Sequence, residues 1–201
     1  MTPFGHASIS YLIGRTTPKL DLRAVLAGGI IPDCDFLLFP FPWFNQIHRV
    51  ITHNLLFICL VGIIGTVFCK HNQRSTILIS LLIGGIFHLI ADSCIDSNPS
   101  NGIGVALFYP FSEALFSPFN LAETINSPLG WSDPGVMFMA MIKTLWLEMP
   151  FWFAAIFLWF FPRTRGIWDK NRQKIYLPTP RQDIPPDKQA EKEIEAALED
   201  E

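Results

Sequence analysis

Paired cysteines are missing from this sequence. Its four cysteines, Cys34, Cys59, Cys69 and Cys94, form no C-x-x-C couple, which speaks against a disulfide framework. Cys59 and Cys69 lie inside an apolar run, where cysteine behaves as a small hydrophobe. Positive charge is scarce as well. Residues 1–162 hold only seven Lys or Arg (Arg15, Lys19, Arg23, Arg49, Lys70, Arg74 and Lys143), and no basic run long enough to bind nucleic acid interrupts them. The start, MTPFGHASISYLIGR, lacks the charged n-region and long h-region of a secretory signal, so insertion is expected to depend on internal segments. Apolar side chains are what the chain has in excess: they make up 50% of 201 residues, 18 of them Phe. That composition belongs to a surface facing lipid, on a chain long enough for one domain.

Two apolar runs flank a short basic hinge. Residues 55–69 carry no charge, and 76–95 are interrupted only by His88 and Asp92. A crossing helix needs about 20 apolar residues, with about 17 as a lower limit. The second run meets this, and the first does so if it starts near Thr52. The hinge at 70–75 fits a tight connection between two helices. A third span is predicted over roughly 136–161; it carries Lys143 and Glu148, with Pro150 expected to kink it. Ala7–Gly14 and Ala24–Ile31 are each too short to cross. They read as a half-buried or re-entrant helical hairpin whose second arm Asp21 could cap. The segment 36–44 (FLLFPFPWF) suits an interfacial loop, and 97–135 form the longest extramembrane connection, with short interfacial helices expected around 108–119.

The expected fold class is therefore all-α: a polytopic membrane helix bundle with about three spans plus the N-terminal hairpin. Residues 1–162 form the membrane-embedded domain. Residues 163–201 form a mobile charged tail, basic at 163–174, then Pro-rich and acidic, and largely disordered. Placing the basic hinge and the basic start of the tail in the cytoplasm puts the far end of 76–95 at the opposite face. His48 and His53, and the two open ends of the hairpin with His6, Asp33 and Asp35, land there too. Four sequence-distant groups of polar residues are thus expected to converge.

His88 and Asp92, at i and i+4, share one helical face inside an apolar run. Ionisable groups there are costly and face a partner or a wet cavity. They could ligate a divalent ion, or form a neutral His–Asp pair for packing. In Pro32-Asp33-Cys34-Asp35 an extended turn would point both carboxylates the same way; the plainer reading is a helix-ending turn with solvated acids. His48 and His53 do not share a helical face, Thr52 stands where it could cap the next helix, and Arg49 could hold an anionic substrate or pair with a carboxylate. Glu148 reads as a partner for Lys143 or a general acid/base.

Taken in order, His6, Pro32-Asp33-x-Asp35, His48-Arg49-x-x-Thr52-His53, His88-x-x-x-Asp92 and Tyr109-Pro110-Phe111 resemble the YdjM-like family, described as LexA-binding, inner-membrane-associated metal-dependent hydrolases. The resemblance covers about residues 1–112. It departs at Asn54, where the family often has Ser. The resemblance implies His6, Asp33, Asp35, His48, His53, His88 and Asp92 as metal-site residues, with one or two divalent ions, zinc being the expected metal. Asp35, Arg49 and Asp92 are the candidates for catalysis. The expected activity is hydrolysis of a membrane or interfacial ester or phosphoester, in an inner-membrane, multi-pass protein with a cytoplasmic C-terminal tail. The expected partners are the bilayer and a lipid or phosphoester substrate, without nucleic acid. Competing readings are a non-catalytic scaffold with a structural metal or polar cluster, and a metal or ion transporter.

Overall fold

The computed structural model describes residues 1–38, 40, 41, 44, 50–95, 104–119, 121 and 134–161. The predicted tail at 163–201, and with it the second of the two expected parts of the chain, lies outside these residues. So do His48 and Arg49. Five α-helices carry the described part: α1 (Pro3–Thr16), α2 (Leu22–Ile30), α3 (Leu55–Val67), α4 (Arg74–Cys94) and α5 (Pro134–Phe160). A 3₁₀ segment, Ile31–Leu38, continues from α2, and a second, His71–Gln73, opens α4. Among the described residues there is no strand, only an isolated bridge between Val105 and Phe116.

Each helix begins for a local reason. Pro3 sits in the first turn of α1, where its missing N–H costs nothing, and Thr2 Oγ1 accepts from Gly5 N at 3.2 Å. Asp21 caps α2 as expected, accepting from Ala24 N at 3.0 Å. The cap of α3 is Asn54 and not Thr52: its Oδ1 accepts from Phe57 N at 2.8 Å while its Nδ2 donates to the carbonyls of Val50 and Ile51. Serine could cap, but it could not give two further hydrogen bonds.

Two stretches are long and apolar enough to cross a membrane, His71–Cys94 and Phe138–Phe160. The third expected crossing is shorter in the structure. Helix α3 has 13 residues, about 20 Å of rise against the ~30 Å of a hydrocarbon core. Helix α5 runs unbroken through Pro150 and leaves most of its apolar surface uncovered, Trp146 and Phe160 each being 72% exposed. Residues 104–119 are turns around the bridge; the short helices expected near 108–119 are not formed.

Helix α2 lies against α4 at backbone contact. A Cβ on Gly28 would run into the carbonyl of Leu81, and one on Gly84 into the carbonyl of Val25. Only glycine permits this crossing. Ser80 Oγ, which donates to Thr76 O, accepts from Asp21 N at 2.8 Å and pins the α1–α2 turn to α4. On the far side, α3 packs on α4 around Gly62 and Gly85. Helix α1 covers α2 and meets α5 through Glu148, whose carboxylate accepts from Thr2 N at 2.5 Å and from Thr2 Oγ1. The hydrogen bonds that the structure gives Glu148 come from Thr2, the N-cap of α1.

Candidate metal centre

The centre is built on α4. His88 and Asp92 stand one turn apart on the face covered by α1 and α2, each 2% exposed. His88 Nδ1 lies 2.9 Å from the carbonyl oxygen of Gly29. Gly29 lies in the last turn of α2, where carbonyls run out of intrahelical donors, and the histidine supplies one. A carbonyl only accepts, so Nδ1 carries a proton, and the ring turns its Nε2 away from α2. That atom lies 3.4 Å from Asp92 Oδ2 and 3.8 Å from Asp33 Oδ1 and has no hydrogen-bond partner.

Asp33 and Asp35 do not project together. An extended turn repeats every second residue, but the chain here is a 3₁₀ helix, in which residues two apart diverge by about a third of a circle or more. Asp33 faces the α4 histidine. Asp35 faces Thr52, accepting its hydroxyl at 2.8 Å. Cys34, between them, is exposed and takes no part.

Two more imidazoles close the group. His6 Nε2 is 3.1 Å from Asp92 Oδ1 and 3.9 Å from Asp33 Oδ2, and its ring stacks on His88 with centroids 3.7 Å apart. His53 Nε2 is 3.2 Å from Asp92 Oδ2 and 3.4 Å from Asp33 Oδ1. The Met1 ammonium adds a 2.7 Å ion pair to Asp92 Oδ1. His71 is at the opposite end of α4.

Burial alone would lower the basicity of His53, but its hydrogen bonds to Asp33 and Asp92 outweigh this and push it up to about 9. For His6 burial wins over the attraction of Asp92, and it falls to about 4. Burial works to raise Asp33, yet its contacts with His53 and His88 hold it below the usual carboxylate range. The two carboxylates therefore attract positive charge, which in this structure comes from His53 and from the Met1 ammonium.

His6, Asp33, His88 and Asp92 each offer a ligand atom, all within 4.8 Å of one another. A tetrahedral zinc with bonds of about 2.0–2.1 Å sets its ligand atoms roughly 3.3 Å apart. The nitrogen–oxygen distances of 3.1 to 3.9 Å bracket that spacing. Two imidazoles and two carboxylates form a donor set suited to a divalent cation, and the uncommitted Nε2 of His88 is aimed at the place where one would sit. This buried His/Asp cluster could hold a metal ion.

The model of the YdjM inner membrane protein family matches residues 1–168. The chain belongs to that family. It is thus an inner-membrane protein, and its two long apolar helices fit that setting. No curated protein and no solved structure matches the chain. Three features of this YdjM-family site escape a linear reading: the Gly29 carbonyl behind His88, the Thr52 hydroxyl behind His53, and the clasp between Glu148 and Thr2. For the first, the chain offered no local signal, because the carbonyl and the histidine are 59 residues apart.

Proposed function

We propose that this YdjM-family protein is a membrane-bound, metal-dependent hydrolase that uses zinc on a membrane or interfacial ester or phosphoester. What carries the reading is the aim of His88 Nε2: the Nδ1 is committed to Gly29 O at 2.9 Å, and the Nε2 faces the space shared by Asp33 and Asp92. His6, Asp33, His88 and Asp92 would hold the ion, with His53 beside them. Asp33, not Asp35, supplies the carboxylate of its turn. His48 would complete a second ion, and Arg49 would steady an anionic substrate. A bound divalent cation lowers the pKa of water towards ~7 and polarises the scissile group. An Asp or His of the cluster that the ion leaves free would take the proton from the attacking water.

In the bilayer, two crossings by α4 and α5, with the 70–75 hinge and the end of α5 in the cytoplasm, would put the centre at the other face. Metal analysis of the purified protein tests the site: wild type should retain zinc and a His88→Ala/Asp92→Ala double variant should not. Equal zinc in both would end the assignment. Turnover of a generic phosphoester that needs metal and fails in Asp33→Asn tests the chemistry. A second reading, a structural metal in a non-catalytic scaffold, is favoured by one observation. The cluster is closed, with His53 fully buried and Asp33, the most accessible of the group, only 7% exposed, whereas catalytic sites keep a position open. Zinc retention without turnover would favour that reading.

A further inference from the structure

The three imidazoles of the centre are not held alike. Behind His88 Nδ1 stands the Gly29 carbonyl at 2.9 Å, and beside His53 Nδ1 the Thr52 hydroxyl, also at 2.9 Å. His6 has no such support: its Nδ1 is buried and, among the described residues, without a hydrogen-bond partner. Apart from its neighbours in the cluster, only its backbone places the ring. That backbone is the first turn of α1, and the turn is tied at Thr2. The Thr2 carbonyl accepts from His6 N at 3.1 Å, and Thr2 Oγ1 accepts from Gly5 N at 3.2 Å. The two donors of Thr2 both go to Glu148 of α5: its N–H to Oε1 at 2.5 Å and its hydroxyl to Oε2. The acid is fully buried. It lies so close that a Cβ on Gly5, the residue before His6, would come within 2.6 Å of its carboxyl carbon.

We propose that Glu148 is a positioning residue for His6: by gripping Thr2 from α5 it fixes the first turn of α1 and so holds the His6 imidazole against Asp92 and His88. The route runs from Glu148 to Thr2, from the Thr2 carbonyl to the His6 backbone, and from His6 Nε2 to Asp92 Oδ1 at 3.1 Å. From the backbone side it does for His6 what a partner at Nδ1 does for the other two imidazoles. An ionisable group inside a crossing helix is costly and is kept for a partner; here the partner is Thr2. Helix α5, which contributes no ligand, is thereby joined to the centre. The acid acts through its geometry and not through its charge. What this is worth for metal binding depends on the cluster being a zinc centre, as proposed above; the placing of the ring does not.

The experiment uses the full chain, purified in detergent, with two readouts. The first is zinc affinity by competition with a chromophoric chelator. Glu148→Ala should bind about 10- to 100-fold more weakly, the usual cost of losing a group that orients a ligating histidine. Glu148→Gln should stay close to wild type, because its amide oxygen can accept from Thr2 N while its amide nitrogen donates to Thr2 Oγ1. In a His6→Ala background Glu148→Ala should cost no more than about twofold, since the residue it positions is gone. Glu148→Met replaces Glu148→Ala if the latter does not fold. A loss in Glu148→Gln as large as in Glu148→Ala would mean that the charge is what matters, and would overturn the positioning role. So would an undiminished loss in the His6→Ala background. The second readout needs no metal. It is the nuclear Overhauser contact between the ring protons of His6 and His88, whose centroids are 3.7 Å apart, identified by its absence in His6→Gln. The contact should weaken in Glu148→Ala and persist in Glu148→Gln. An unchanged contact in Glu148→Ala overturns the proposal, whereas wild type failing to bind zinc overturns only the metal reading.

Discussion

The crossing of α2 over α4 should control the metal centre from a position that contributes no ligand. In Gly84→Ala the added Cβ would stand 2.9 Å from Gly29 N and 3.1 Å from Val25 C, with the Val25 oxygen nearer still, whereas ordinary contact starts at 3.4 Å. These neighbours are backbone and cannot rotate aside. The helices must therefore part by half an ångström at Gly29 and by roughly 1 Å at the carbonyl. The His88 Nδ1 bond to Gly29 O, 2.9 Å long, spans this same gap one turn further along. A separation of that size takes it to the ~3.5 Å limit of a hydrogen bond. The orientation of His88 is then lost, and metal affinity should fall about 10- to 100-fold. Stability should fall less. Overpacking costs about 1–3 kcal/mol, and alanine returns up to ~1 kcal/mol of helix propensity. Gly65→Ala is the control, because its Cβ would meet only the tip of the Leu81 side chain, which can rotate away. It should bind metal as wild type does and melt no lower. Chelator competition and thermal melts in detergent measure both. Wild-type zinc affinity in Gly84→Ala would refute the link between crossing and site.

Three further outcomes follow from the same contacts. His53 is raised from 6.5 to about 9, so its contribution to the metal-free protein is complete below 6.5 and is lost as pH rises through about 9. His6 is lowered to about 4 and works the other way, its contribution fading as pH falls from 6.5 through about 4. The melting temperature of chelator-treated protein should therefore peak near the middle of this range; a steady rise to alkaline pH would contradict the assignment. Asn54→Ala removes the α3 cap and the donors to Val50 and Ile51, so denaturant titration should show a loss of roughly 2 kcal/mol, and Asn54→Ser should fall between the two. Glu148→Ala takes both acceptors from Thr2; hydrogen exchange should speed up in the first turn of α1, while an unchanged rate would show that the clasp does not hold that turn.

What could be read along the chain was whatever depends on near neighbours. An i, i+4 spacing places His88 and Asp92 on one face in any α-helix, Asp21 caps the turn it precedes, and the charge-poor apolar runs mark a lipid-facing body. Asp33 and Asp35 were not separable in this way, because the same four residues are compatible with an extended turn or a 3₁₀ helix, and the two geometries aim the second carboxylate differently. Thr52 and Asn54 are both able to cap α3. Asp35, 17 residues before Thr52, decides which of them is free to do so. The clasp of Glu148 on Thr2 joins residues 146 apart, and the alignment of His88 depends on glycines that let two backbones touch. Local periodicity sets the direction of a side chain within its own helix. The atom it meets there depends on how the helices pack, which no single segment contains.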